Sequence, residues 1–72
     1  MYNVKGYYDE NCRGLAESTY DVDFSTLRDI AHTYASQGYV LKLENTDIGT
    51  VMIITPDSYF ENFEGESPIT EF

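Results

Sequence analysis

Apolar and polar positions alternate from the first residues of the chain. Tyr2, Val4, Gly6 and Tyr8 fall on one side of an extended segment, and Asn3, Lys5 and Tyr7 on the other. A period of two predicts a strand over residues 2–8. Asp9-Glu10-Asn11-Cys12-Arg13-Gly14 then reads as a polar loop closing on glycine. Leu15 to Tyr20 alternates again, which predicts a second strand and a first hairpin. Past Asp21 the period lengthens. Phe24, Leu27, Ile30, Ala31 and Tyr34 recur at helical spacing and form one apolar stripe. Asp23 is placed to cap the helix, its carboxylate accepting a free backbone N–H of the first turn. Val22 and Leu27 are spaced as a hydrophobic staple. Gly38 supplies a left-handed stop, with Tyr39 folding back on Tyr34. The predicted helix covers residues 24–37.

Alternation resumes over residues 39–44, where Tyr39, Leu41 and Leu43 oppose Val40, Lys42 and Glu44. Asn45-Thr46-Asp47-Ile48-Gly49 is turn chemistry of hairpin length, leading into a β-rich run over residues 49–55. The stretch Val51-Met52-Ile53-Ile54 is apolar on both faces. It reads as a central strand, or as one whose second face meets another chain. Thr55 and Pro56 are a cap and a first helical residue, predicting a short helix through Glu64 that stops at Gly65. Tyr59, Phe60 and Phe63 would dock it. Residues 1–65 then make a single α+β domain, and residues 66–72 a flexible acidic tail. The order β-β-α-β-β implies a small four-stranded, mostly antiparallel sheet packed by one helix, with a short C-terminal helix. A β-grasp connection and other α+β arrangements both fit it.

Length limits what such a chain can do. Seventy-two residues, 42% of them hydrophobic, suffice for one core but not for a core plus a deep substrate cleft. Seven Tyr and four Phe are a heavy aromatic load; Tyr buries a ring while keeping its hydroxyl near water, so it serves a thin core and a contact surface alike. No run of apolar residues is long enough to span a bilayer. The first residues lack the apolar region of a secretory signal. Cys12, the single thiol, has no internal disulfide partner. These features lead to the expectation of a cytoplasmic protein.

Charge changes the picture most. Thirteen acidic residues against four basic ones give a net charge of -9. Such an imbalance strains a small fold by self-repulsion and disfavours direct nucleic-acid binding, which needs Lys and Arg at the phosphates. The imbalance is local. Residues 25–43 hold Asp29 against Arg28 and Lys42, whereas residues 57–72 hold Asp57, Glu61, Glu64, Glu66 and Glu71 with no base. On a helix through Glu64, the first three of these acids share a side, opposite Tyr59, Phe60 and Phe63. A carboxylate row over an aromatic base can present fixed negative charge to a basic groove, with Arg pairing bidentately. The competing reading is a charged surface that serves solubility alone.

Catalytic parts are sparse. His32 is the only histidine, and Cys12 and His32 together form no recognisable nucleophile motif. Ligands for a structural zinc site are too few. Asp21-Val22-Asp23-Phe24-Ser25 opens like a calcium loop but fails, with Thr26 where glycine is required and His32 where the bidentate Glu belongs. The pairs Asp9-Glu10 and Asp21/Asp23 occupy expected loops with no pocket implied. No phosphate-binding glycine loop or nucleophile elbow occurs. The expectation is a non-enzyme without cofactor or metal.

In length, single thiol, Tyr and Phe content and placement of acids, the chain resembles the small acidic proteins with which bacteriophages disable host proteins by imitating DNA. Uracil-DNA glycosylase inhibitors, anti-CRISPR proteins and phage inhibitors of histone-like nucleoid proteins are of this kind. They share a mechanism rather than a fold. The resemblance implies a DNA mimic that inhibits a basic DNA-binding protein, either a nucleoid protein or a nuclease or CRISPR effector, in a bacterial host cytoplasm. Its contact residues would be Asp9, Glu10, Glu17, Asp21, Asp57, Glu61, Glu64, Glu66 and Glu71, with Tyr59, Phe60 and Phe63. A homodimer through Val51 to Ile54 would lengthen the charged strip. The alternative is an interaction module or small subunit that binds through the aromatic patch without imitating DNA.

Overall fold

The computed structural model describes all 72 residues. Strands β1 (Tyr2–Tyr7) and β2 (Leu15–Val22) lead into helix α1 (Phe24–Ser36). Strands β3 (Val40–Asn45) and β4 (Thr50–Ile54) follow, and then the short helix α2 (Pro56–Glu61). The sheet order is β2-β1-β3-β4. Every neighbouring pair is antiparallel, so the α+β architecture consists of two hairpins laid side by side with α1 crossing from one to the other. The inner strands β1 and β3 run in opposite directions. That excludes the β-grasp connection, whose inner strands are parallel.

The signals read for α1 act as written. Asp23 Oδ1 accepts from the Thr26 N–H at 2.8 Å. At the other end Gly38 has φ 85°, its N–H donates to the Ala35 carbonyl, and the Tyr39 N–H donates to the Tyr34 carbonyl. This is the double bond pattern of a Schellman stop. The apolar stripe lies on the sheet. Val4, Leu27, Ala31, Tyr34, Ala35, Leu41, Leu43, Tyr59 and Ile69 form one buried cluster. Gly6 permits a close approach here, because a Cβ at that position would meet the Tyr34 and Tyr39 rings at 3.1–3.2 Å. The Tyr34 hydroxyl, 3.0 Å from Thr19 Oγ1, ties α1 to β2.

Strand β2 is longer than its alternation predicts because it is bulged twice. Tyr2 pairs with Val22 but Val4 with Thr19, and Gly6 pairs with Glu17 but Tyr7 with Leu15, so each step leaves one extra residue on β2. Asp21, at φ 57°, absorbs the first of these and lets Val22 turn inward.

Three expectations are corrected. Strand β4 is not central but forms the sheet edge. Helix α2 ends at Glu61 rather than Glu64, because the Asn62 side chain donates to the Ser58 carbonyl at 2.9 Å and closes the helix there. The Phe63 N–H then bonds the Phe60 carbonyl, and the Phe63 ring turns toward α1. Residues 66–72 are not a loose tail. Ile69 is 2% exposed, the Phe72 ring lies 5.4 Å from that of Tyr2, and the Phe72 carbonyl accepts from Asn45 Nδ2 at 2.7 Å. The segment from Pro56 to Phe72 thus adds Tyr59 and Ile69 to the core beside α1 and sets Phe72 against Tyr2.

Candidate partner-binding surface

The molecule has two unlike faces. On the open face of the sheet, opposite α1, stand Asn3, Lys5 and Tyr7 of β1, Lys42 and Glu44 of β3, and Val51 and Ile53 of β4, as their cross-strand registers require. Val40, opposite Tyr7, is the one buried hydrophobic residue that lies outside the main cluster. Lys5 bonds Glu44 at 3.2 Å and lies over the Tyr20 ring. The bond to Glu44, followed by the pair's mutual attraction, holds the Lys5 ammonium above its ordinary value despite the opposing effect of burial. Charge on this face is balanced or slightly positive.

Carboxylates gather elsewhere. The elements and segments of the helix side carry Glu17, Asp23, Asp29, Asp57, Glu61, Glu64, Glu66 and Glu71 against the lone guanidinium of Arg28, which lies over the Phe24 ring. Asp9, Glu10, Asp21 and Asp47 occupy loops and turns at the ends of the strands. Only Glu44 and Asp47 have a cation within 4.0 Å, the latter through the Met1 ammonium; the other eleven acids have none. Glu17, opposite Gly6 on the helix side, is close enough to Tyr39 to matter. The Tyr39 phenol is raised above its ordinary value by desolvation first, and then by the neighbouring Tyr8 and Glu17.

The structure brings some predicted contact residues together and separates others. Asp57 and Glu61 lie four apart on α2 and are exposed, while Glu64, Glu66 and Glu71 follow, also exposed, on the returning segment. Glu10 sits at the tip of the β1–β2 loop. Asp9 is half-buried there and accepts from the Asn11 N–H at 2.8 Å, so it shapes the loop as well as charging it. Asp21 is at the far end of β2. Eight acids therefore lie on helix-side segments and others at the strand ends, so they do not form a single row.

Tyr59 is removed from the contact set. It is fully buried, and its hydroxyl lies 3.1 Å from His32 Nδ1. Phe60 stays 42% exposed, and Phe63 is half-buried. All three rings surround His32, with centroids 5.7, 5.7 and 5.2 Å away. His32 is the hub that joins α2 to α1. The signal for this was available: His32 follows Arg28 by four residues, on the helix edge next to the apolar stripe, and an aromatic-rich short helix needed somewhere to dock.

Two shallow grooves exist. One, of about 300 Å³, lies between α1 and the returning segment and is lined by Arg28, Asp29, His32, Tyr59, Phe63, Gly65, Glu66 and Ser67. The other, of about 250 Å³, lies between α1 and β2, with Thr19, Asp29, Ile30, Thr33 and Tyr34. Comparison with protein families, curated proteins and solved structures finds no match. Cys12 sits in the β1–β2 loop at φ 56° and makes no hydrogen bond to His32. No three His, Cys, Asp or Glu side chains converge as a metal would require. No helix is long and apolar enough to cross a membrane.

Proposed function

We propose that the chain is a non-catalytic inhibitor that presents its helix side to the DNA-binding groove of a basic protein and competes there with DNA. The observation that supports this reading is the segregation of unpaired carboxylates: eight on the helix-side segments against Arg28, beside a near-neutral sheet face. Carboxylates with no internal cation are free to pair with a partner's Lys and Arg, and Arg takes them bidentately. The molecule is about 29 Å across its broad face. A duplex of that length carries roughly 17 phosphate charges at one per 1.7 Å of axis. One chain supplies a lower density, so the fit is to part of a groove. Charge would speed encounter, and apolar contact from Phe60 would slow release. Targets of this chemistry include histone-like nucleoid proteins and nucleic-acid-cleaving effectors, so on this reading the activity would be exerted in the cytoplasm of a bacterial host.

The test is capture of partners from a bacterial lysate at low and high salt, followed by displacement of labelled DNA from the captured protein. Basic DNA-binding proteins are expected at low salt only, and to lose their DNA. Capture that is indifferent to salt would remove the reading, since attraction between exposed charges weakens with screening. The exposure of Phe60 beside Phe63 supports a second reading, an interaction module that binds by aromatic contact. In that case Phe60→Ala abolishes capture, while neutralising Glu61, Glu64 and Glu66 does not.

A further inference from the structure

The two edges of the sheet are built differently. The β2 edge carries Glu17 and Asp21 and two bulges, which are the features that keep an edge from pairing with another chain. The β4 edge has none of these. Thr50-Val51-Met52-Ile53-Ile54 is the only element of the fold without a charged residue, and its register with β3 is unbroken. No hydrogen bond beyond that ladder engages it. Val51 and Ile53 project from the open face at 52% and 54% exposure.

We propose that β4 pairs edge to edge with β4 of a second copy of this chain, across a two-fold axis. The strand's register and its lack of charge fit a second copy as the occupant. Two copies at -9 each repel almost everywhere, and β4 is the one element where they can touch without opposing like charges. An antiparallel pair centred on Met52 sets Val51 of one copy against Ile53 of the other, a β-branched pair on each side of the axis. Val51 lies opposite Glu44 within its own sheet and Ile53 opposite Lys42. Each cross-sheet row then runs Lys42, Ile53, partner Val51, partner Glu44, with opposite charges at its two ends. Lys42 has no ion-pair partner within its own chain.

Opposed residues of an antiparallel pair point to the same side, so both helix layers lie on one face of the resulting eight-stranded sheet. The proposal does not depend on DNA mimicry; if both hold, the dimer joins two acidic surfaces into one. A five-residue seam is small for a specific interface, so association in the micromolar range is expected.

The decisive experiment is sedimentation of the unaltered chain from micromolar to near-millimolar concentration at low and high salt, with hydrogen exchange at both ends of the range. The expected result is a monomer–dimer equilibrium that tightens with salt, and slowed exchange of β4 amides in the dimer. Val51→Ser or Ile53→Ser should weaken it by about tenfold, because each removes a β-branched contact from both rows across the axis without altering the net charge. Ile48→Ser, in the exposed adjoining turn and equally neutral, should leave it unchanged. A monomer under all conditions, or a dimer that leaves β4 exchange unaltered, overturns the proposal and leaves the edge for another chain's strand. Because this association strengthens with salt and capture of a basic partner weakens, failure of one reading cannot be mistaken for failure of the other.

Discussion

His32 Nδ1 and the Tyr59 hydroxyl, 3.1 Å apart, form the one side-chain hydrogen bond between α1 and α2. Around it the Phe60 and Phe63 rings close on the imidazole. The contact lies at the meeting point of the core and the acidic surface, because α2 carries Asp57 and Glu61 outward while Tyr59 plugs the interior. Tyr59→Phe removes only the hydroxyl and should cost about 1 kcal/mol. Tyr59→Ala removes the plug and should cost about 3–5 kcal/mol. Urea unfolding of both variants checks the difference; equal losses would mean that the ring does not anchor α2.

Neutralising the helix-side acids should separate stability from binding. Asp57→Asn, Glu61→Gln, Glu64→Gln and Glu66→Gln together relieve self-repulsion among exposed groups. The quadruple variant is expected to melt at or above the parent temperature while its low-salt capture of basic proteins is lost. Added salt should raise the melting temperature of the parent more than that of the variant, since the parent has more repulsion to screen.

The Asp23 cap predicts an acid-side dependence. Hydrogen bonds from Thr26, through its backbone N–H first, hold the Asp23 carboxyl below its ordinary value of 3.8. A depressed carboxyl contributes stability that is complete above the unfolded value and disappears as pH falls through the folded one. Asp23→Ala should therefore lower the melting temperature at neutral pH and flatten its decline in acid. Asp23→Asn, still a capping residue, should keep most of the neutral stability while losing the pH dependence. Thermal melts across the acid range test this.

Gly6 is required by space rather than by backbone angle. Any side chain there meets the Tyr34 and Tyr39 rings, so Gly6→Val should cost about 1–3 kcal/mol through overpacking. Spreading the rings would also disturb the Tyr34 hydroxyl bond to Thr19.

Ile69→Ala probes the returning segment. Its side chain is 2% exposed, and truncation should cost about 2–5 kcal/mol. A loss below about 0.5 kcal/mol, the level of an ordinary surface change, would show that residues 66–72 do not belong to the core.

Local signals were legible where each residue's role is fixed by its near neighbours. Asp23, Gly38 and Tyr39 define α1 through bonds within a few residues of themselves, and the alternation of residues 2–7 and 40–45 records which side of each strand is buried. The position of β4 was not legible, because an apolar run has the same pattern whether both faces are covered by its own fold or one awaits another chain. Ile69 and Phe72 were missed for a related reason. Two apolar residues among Glu66, Ser67, Pro68, Thr70 and Glu71 show no periodicity, and only their distant contacts with the core and Tyr2 hold them. The acidic surface was legible in its residue types but not in its boundary. That boundary depends on strand register, which places Lys5 and Lys42 together on the opposite face.

The returning segment also governs when the chain can finish folding. Four strands and α1 are complete by Ile54, yet the core still lacks Tyr59 and Ile69 and the flanking Phe63 and Phe72. A nascent chain halted before them, or one trimmed there by a protease, would hold assembled secondary structure with its oily interior open to water. Such species would be targets for chaperones and proteases, because the returning segment closes the core that the earlier elements leave open.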